Sequence, residues 1–409
     1  MATDELIPNL FRSEYGKIVA VLCKTFGLAH IEVAEDIVSE TFLKAVETWG
    51  IKGIPQNPTA WLYTVARNRA KDHFKRSAIF KEKIEPQLNS HPSNFIPEVD
   101  FSEAMLNDSL LEMIFAVCHP ILSRESQIVI ALRVLCGFGI GEIANALLGN
   151  TPTINKKLSR AKRKLRENNI ELTTPSEREI LERMDNVLSV LYLLFNEGYY
   201  TTLSDEKVRK DLCFEAMRLL YVLTSNKVTA LPQAHALMAL FCFHSSRFEA
   251  RIGDHGESIP FDEQDMDKWD MELIKKGEEY LHVSRNGKEP TKYHLEALIA
   301  FWHTRTSPNE KEKWAYILQL YNQLLQMEYS PMAALNRTYA LSRVKGKKVA
   351  LREALKINLQ KNHLYHSLLA ELYKDMDSQK QRIHLTMALQ LAKSENDKEL
   401  LQKKLQGLA

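Results

Sequence analysis

A chain of 409 residues is too long for one ordinary core, and its 45% aliphatic and aromatic content can bury several, so two to four domains are expected. The formal charge of +2 excludes a polybasic or polyacidic protein overall, yet basic residues crowd positions 67–76 and 156–166, where a nucleic-acid partner is indicated. Cys23, Cys118, Cys136, Cys213 and Cys242 are odd in number and form no Cys-x-x-Cys pair. They exclude a disulfide framework and read as reduced core residues of a cytoplasmic protein. The start Met1-Ala2-Thr3-Asp4-Glu5-Leu6 is acidic and no apolar run reaches membrane-spanning length, so neither a secretion signal nor a membrane anchor is expected.

Apolar residues recur at helical spacing almost throughout, as in Leu188, Leu191, Tyr192 and Phe195, and strand-like alternation is scarce, which makes the class all-α. Near the N-terminus, Asp36 and Glu40 stand one turn apart and put two carboxylates on one helix face. Residues 50–59 follow as an irregular loop fixed by Gly50, Gly53, Pro55 and Pro58, in which Lys52, Gln56 and Asn57 offer hydrogen bonds to a base edge. From 61 to 76, Trp61, Leu62, Val65, Ala66, Ala70 and Phe74 form a core face, with Arg67, Asn68, Lys71 and Lys75 on the phosphate-seeking side. A loop beside such a helix suits capture of a single strand. Trp61 itself reads as a core residue.

Residues 81–104 hold Pro86, Pro92 and Pro97 among polar residues and read as a flexible linker between a first domain, 1–80, and a second, 105–169. The second contains a helix-turn-helix pattern. Glu142, Ile143, Ala144 and Leu147 belong to its first helix, Asn150 caps the next, and Pro152 fits the first turn. Along that helix Ile154, Leu158, Ala161 and Leu165 make an apolar stripe. Asn155, Lys156, Ser159, Arg160, Lys162 and Arg163 turn to other faces, and Thr151, Thr153 and Lys157 complete the set expected at a duplex. This is the layout of a recognition helix that packs inward and offers donors to a major groove.

A polar break at 168–176, with Thr173, Thr174 and Pro175, precedes an extension over 177–409. Within it, 334–355 and 367–389 each read as a helix pair turning at Gly346 or Asp377, a degenerate helical-hairpin repeat. Its Glu197, Asp254, His255, Asp262, Asp265, Asp267 and Asp270 supply carboxylates and an imidazole. The spacing 262–270 lacks the central Gly and terminal Glu of a calcium loop, so an acidic turn or salt-bridge network is expected. No catalytic residue, metal site or cofactor is assigned.

The run Ala34-Glu35-Asp36-Ile37-Val38-Ser39-Glu40-Thr41-Phe42-Leu43-Lys44-Ala45, and then Ala60-Trp61-Leu62-Tyr63-Thr64-Val65-Ala66-Arg67-Asn68 with Asp72 and Arg76, resembles region 2 of bacterial sigma factors. Leu158-Ser159-Arg160-Ala161-Lys162-Arg163-Lys164-Leu165-Arg166 resembles the end of region 4. The extension is similar to that of extracytoplasmic-function sigma factors with a tetratricopeptide-like C-terminal domain. Leu191-Tyr192-Leu193-Leu194-Phe195-Asn196-Glu197-Gly198-Tyr199, Asp211-Leu212 with Glu215-Ala216, Trp269-Asp270, and Ser330-Pro331 with Leu335-Asn336-Arg337 carry that likeness. The resemblance implies transcription initiation with core RNA polymerase, bound through its largest-subunit clamp and its flap. Asp36, Ser39 and Glu40 would face the clamp, with Ser39 where many sigma factors carry Gln. Lys52, Gln56, Asn57, Arg67, Asn68, Lys71 and Lys75 would engage the minus-ten element, and the recognition helix the minus-thirty-five element. The extension would regulate in cis, with an unknown regulator as a further partner. The rival readings are a helix-turn-helix activator with a helical sensor domain, and an enzyme or metal site in the extension.

Overall fold

The computed structural model describes residues 3–84, 98–147, 149–200, 206–251, 253, 259, 261–287, 289–305, 309–392 and 395–408. Among the described residues the secondary structure is helical and no strand occurs. The chain divides into two compact units, the first formed by 1–198 with 214–229, the second by 199–213 with 230–409.

In the first unit, α1 (Thr3–Phe26) is the hub. It packs against α2 (Ile31–Lys52), α3 (Pro58–Ile84), α4 (Glu103–Val117) and α5 (Arg124–Val134). Its residues 18–23 are all at or below 1% exposure, which a two-sided packing element requires. Gly16 permits the closest approach, since a Cβ there would lie 2.2 Å from the Leu135 carbonyl oxygen. The helix-turn-helix follows as α6 (Ile140–Ala146) and α7 (Thr151–Glu167). Next comes α8 (Glu177–Tyr200), and then α9 (Glu206–Ser225).

Several boundaries differ from the sequence expectation. The loop expected over 50–59 is confined to 53–57, because α2 runs through Gly50, Ile51 and Lys52 and ends where Gly53 takes φ 83°. α3 continues to Ile84, past the expected linker start, because no proline interrupts it before Pro86; at the other end Glu103 already begins α4, capped by Ser102. Pro86, Pro92 and Pro97 lie outside the described residues. The extension expected from 177 onward is divided between the units. α8 is held to the first by Arg124, whose guanidinium donates to the Asn186 carbonyl at 2.8 Å, and by Arg183 and Asn186, which donate to the Phe115 and Cys118 carbonyls. From the second half of α9, Arg218 donates to the Leu135 carbonyl at 2.8 Å.

The second unit stacks successive helices: α10 (Pro232–Ser245), α11 (Met271–Val283), α12 (Lys292–His303), α13 (Glu310–Met327), α14 (Pro331–Lys345), α15 (Lys347–Ala354), α16 (His363–Tyr373), α17 (Ser378–Leu391) and α18 (Glu395–Gln406). The two expected helix pairs are α14 with α15, turning at Gly346 with φ 85°, and α16 with α17, where Asp377 caps the second helix. Of the acidic cluster, Asp265 and Asp270 cap helical turns by accepting from the amides of Asp267 and Leu273, each at 3.0 Å. Asp254 and His255 lie outside the described residues. All five cysteines are buried and outside any disulfide. Among the described residues no helix is long and apolar enough to cross a membrane.

Candidate nucleic-acid interface

α7 owes its two faces to its sequence. Asn150 Oδ1 accepts from the Thr153 amide at 2.9 Å and fixes the start of the helix, with Pro152 in the first turn. Ile154, Leu158, Ala161 and Leu165 are 1–4% exposed and pack inward. Thr151, Thr153, Asn155, Lys156, Ser159, Arg160 and Arg163 are exposed together on the outer side. Lys157 departs from that set. It is half-buried and donates to Glu125 Oε2 at 2.5 Å, and this hydrogen bond holds the Glu125 carboxyl below its ordinary value.

Lys162, expected on an outward face, instead turns inward. Its ammonium donates to Glu35 Oε2, while Arg133 Nε donates to Glu35 Oε1 at 2.7 Å. Glu35 is 3% exposed, so α2, α5 and α7 meet at one buried carboxylate with both oxygens engaged. Burial pulls the Arg133 guanidinium down, but Tyr15 and Glu35 outweigh it and hold the group above its ordinary value. This triad escaped the sequence reading. The available signal was a charge on the apolar stripe Ile31, Glu35, Val38 and Phe42.

On the far side of α2, Asp36, Ser39 and Glu40 are exposed together. Glu40 is already paired with Arg69 of α3, and the Ser39 hydroxyl donates to the Glu35 carbonyl at 2.8 Å. Lys52, at the end of α2, and Gln56 and Asn57 of the short loop are exposed, but Asn57 Oδ1 is occupied, accepting from the Ala60 amide at 2.9 Å to cap α3. Trp61 is half-buried edge-on against Trp49, with ring centroids 5.3 Å apart, in keeping with a structural role. Asn68, Lys71 and Lys75 are exposed along α3. Arg67 is not on that open face. It is half-buried, its Nε donates to the Val99 carbonyl at 2.9 Å and its guanidinium lies over Phe101, because the chain entering α4 passes back across α3.

Comparison with known proteins places part of the chain in a known family. The sigma-70 region 2 family matches residues 10–78, and a family of unknown function, DUF6596, matches residues 183–285. An uncharacterized protein of Rhizobium meliloti (strain 1021) is 31% identical over 353 residues, 85% of this chain and 83% of that protein. The ECF RNA polymerase sigma factor BldN of Streptomyces coelicolor is 33% identical over 136 residues, 32% of this chain and 49% of that protein. The RNA polymerase sigma factor YlaC of Bacillus subtilis is 25% identical over 175 residues, which cover 41% of this chain and 94% of that protein. No solved structure matches the chain. The region 2 match and the sigma-factor relatives assign the chain to the extracytoplasmic-function sigma factors, with a helical extension at its C-terminal end.

Proposed function

We propose that the protein directs core RNA polymerase to specific promoters, and that the outer face of α2 meets the polymerase clamp. Asp36 and Glu40 supply its carboxylates for basic residues of the partner. The 53–57 loop, with Asn68, Lys71 and Lys75, engages the minus-ten element as a separated strand, and the outer face of α7 reads the minus-thirty-five element in duplex form. The observation that carries this reading is the division of α7 into a buried apolar stripe and an exposed face of donors behind an Asn150 cap.

Reading both elements at once constrains the mechanism. They lie about 25 base pairs apart, or about 85 Å of duplex at ~3.4 Å per step. A folded body of roughly 210 residues has a radius of gyration of about 17 Å, hence a diameter near ~45 Å. The first unit, in which α2 and α7 share the Glu35 carboxylate, is therefore too small to span both elements and must open when it does.

The extension regulates that step in cis. Its α8 and the second half of α9 belong to the sigma body, so removal of 230–409, and not of everything after 177, separates the two activities. The test is co-purification with core polymerase and transcription in vitro from promoter templates, with the full chain and with the form ending at Thr229. Association with core enzyme and promoter-specific starts are expected, altered in rate by the truncation. Tight binding to a promoter fragment without polymerase, and no association with core enzyme, would make the protein a conventional activator.

A further inference from the structure

We infer that the C-terminal unit carries a binding site for a small organic anion with a flat apolar body, in the cleft bordered by α12, α13, α14, α16 and α18. The cleft holds about 850 Å3, within the range of small-molecule sites. Its floor is a continuous series of rings. Phe261 meets His303 at 4.9 Å between centroids, His303 meets Trp314 at 5.6 Å, and Trp314 meets Tyr339 at 5.4 Å. A guanidinium stands over each end, Arg247 at 5.0 Å from the Phe261 centroid and Arg343 at 5.4 Å from that of Trp314. Such a floor suits a planar apolar group, and such ends suit an anion attached to it.

Two further observations point to an acceptor-bearing ligand. Trp314 is 4% exposed and Arg247 9% exposed, yet Trp314 Nε1 and Arg247 Nε have no hydrogen-bond acceptor among the described residues. Folded proteins rarely leave buried donors unmatched, and a ligand with lone pairs is what these two lack. The charge agrees. Of the described lining residues, Arg247, Arg343, Lys347, Lys374 and Lys404 are cations against only Glu263 and Glu371, and Lys347 already pairs with Glu371 at 3.5 Å. Arg343, Lys374 and Lys404 form no ion pair among the described residues. His303 adds no charge near neutral pH, because burial and then Arg247 and Lys313 pull it down to about 3. Arg247 Nη2 already donates to the Tyr199 hydroxyl at 3.2 Å. A bare inorganic anion would leave the rings uncovered, and a neutral aromatic would leave the Arg343 charge without a counterion.

The experiment is calorimetric titration of the full-length protein, without polymerase or DNA, so its outcome is separate from that of the sigma-factor reading. The probes are benzoate, indole-3-acetate and naphthalene-2-carboxylate, each against its uncharged amide, with acetate as the anion lacking a ring. At least one acid should bind about tenfold or more tightly than its amide, a difference of about 1.4 kcal/mol, and acetate weakly. Arg343→Gln, at an exposed position, should remove most of that preference while leaving circular dichroism and the unfolding midpoint unchanged. Trp314→Phe, which keeps the ring and deletes the buried donor, should weaken the acid further. Equal affinity for acids and amides, an unaltered preference in Arg343→Gln, or no binding of any acid at ~5 mM, far weaker than sites of this kind need be, would overturn the assignment.

Discussion

The Lys162 ammonium, on the helix whose outer face bears Lys156 and Arg160, donates to Glu35 Oε2 on the helix whose outer face bears Asp36 and Glu40. Residues 127 positions apart thus tie α7 to α2. Arg133 completes the site, and Glu35 keeps only 4% of its side chain in solvent. Deleting one charge of a buried group of this kind costs on the order of 3 kcal/mol, because the remaining charges stay desolvated without a counterion. Glu35→Gln should therefore shift the sigma body toward open forms, raising its radius of gyration in small-angle scattering and its sensitivity to protease between α3 and α4. Identical scattering and cleavage in variant and parent would show that the triad does not hold the body closed.

Gly16 offers an independent handle on the same closure. The obstacle to a side chain there is the Leu135 carbonyl oxygen at 2.2 Å, a backbone atom that cannot rotate aside. Gly16→Ala must drive α1 and the end of α5 apart, at a cost of about 1–3 kcal/mol, the usual range for overpacking. Thermal unfolding should show the loss and scattering the expansion. A variant melting with the parent would mean that this approach is not made in solution.

Lys156 and Arg160 stand one turn apart on the exposed face of α7. Alanine at a base-reading position should cost about 1–3 kcal/mol and relax selectivity at one promoter position, whereas loss of a phosphate contact should weaken all sequences and reduce the salt slope by about 0.9. Lys157→Ala should do less than either, since its ammonium is already held by Glu125. Competition binding by the holoenzyme at several salt concentrations separates the three. Unchanged promoter use in the Lys156→Ala, Arg160→Ala double variant would take α7 out of the mechanism.

What could be read in the sequence was local. The Asn150 cap, the Ile154 to Leu165 stripe and the turns at Gly346 and Asp377 each depend on residues within a few positions of one another, and each is found where expected. The exposed acidic face of α2 and the basic face of α7 follow from helical periodicity in the same way. The partners of Lys162, Arg67 and α8 were not readable, because Glu35, Val99 and the Phe115 carbonyl lie 127, 32 and 68 positions from the donors that reach them. The start of the loop before α3 was misplaced for a different reason. Gly50 has open space around its Cα and costs an exposed helix little, so α2 passes through it and stops only at Gly53, whose positive φ it cannot accommodate.

The same loop separates two residues that the sequence had grouped. Gln56 is exposed and forms no hydrogen bond among the described residues, whereas Asn57 caps α3. Gln56→Ala should impair initiation on duplex promoters more than on templates with a pre-melted bubble, because extruding a base costs a few kcal/mol that the bubble removes. Asn57→Ala should impair both templates and lower the unfolding midpoint, by about 1 kcal/mol of lost capping. Equal loss on both templates for Gln56→Ala would assign that residue a structural part instead.

Acid should destabilise the C-terminal unit through two histidines. His303 is pulled down to about 3 by burial, with Arg247 and Lys313 adding to it, and His244 is lowered well below 6.5 by burial and then by Arg247, Arg251 and His303. Both are neutral in the folded unit, while in the unfolded chain they take up protons as pH falls through about 6.5. Their contribution is thus fully present above pH ~6.5 and lost progressively below it, by at most about 1.4 kcal/mol per pH unit for each histidine. Unfolding followed from pH 7.5 to 5, above the range where most carboxylates titrate, should show a flat upper part and a falling lower part. His303→Gln, which keeps a polar group of similar size without the proton, should flatten the lower part by one proton. A stability that stays level down to pH 5, or a slope unchanged in His303→Gln, would place these imidazoles in contact with solvent in the folded protein.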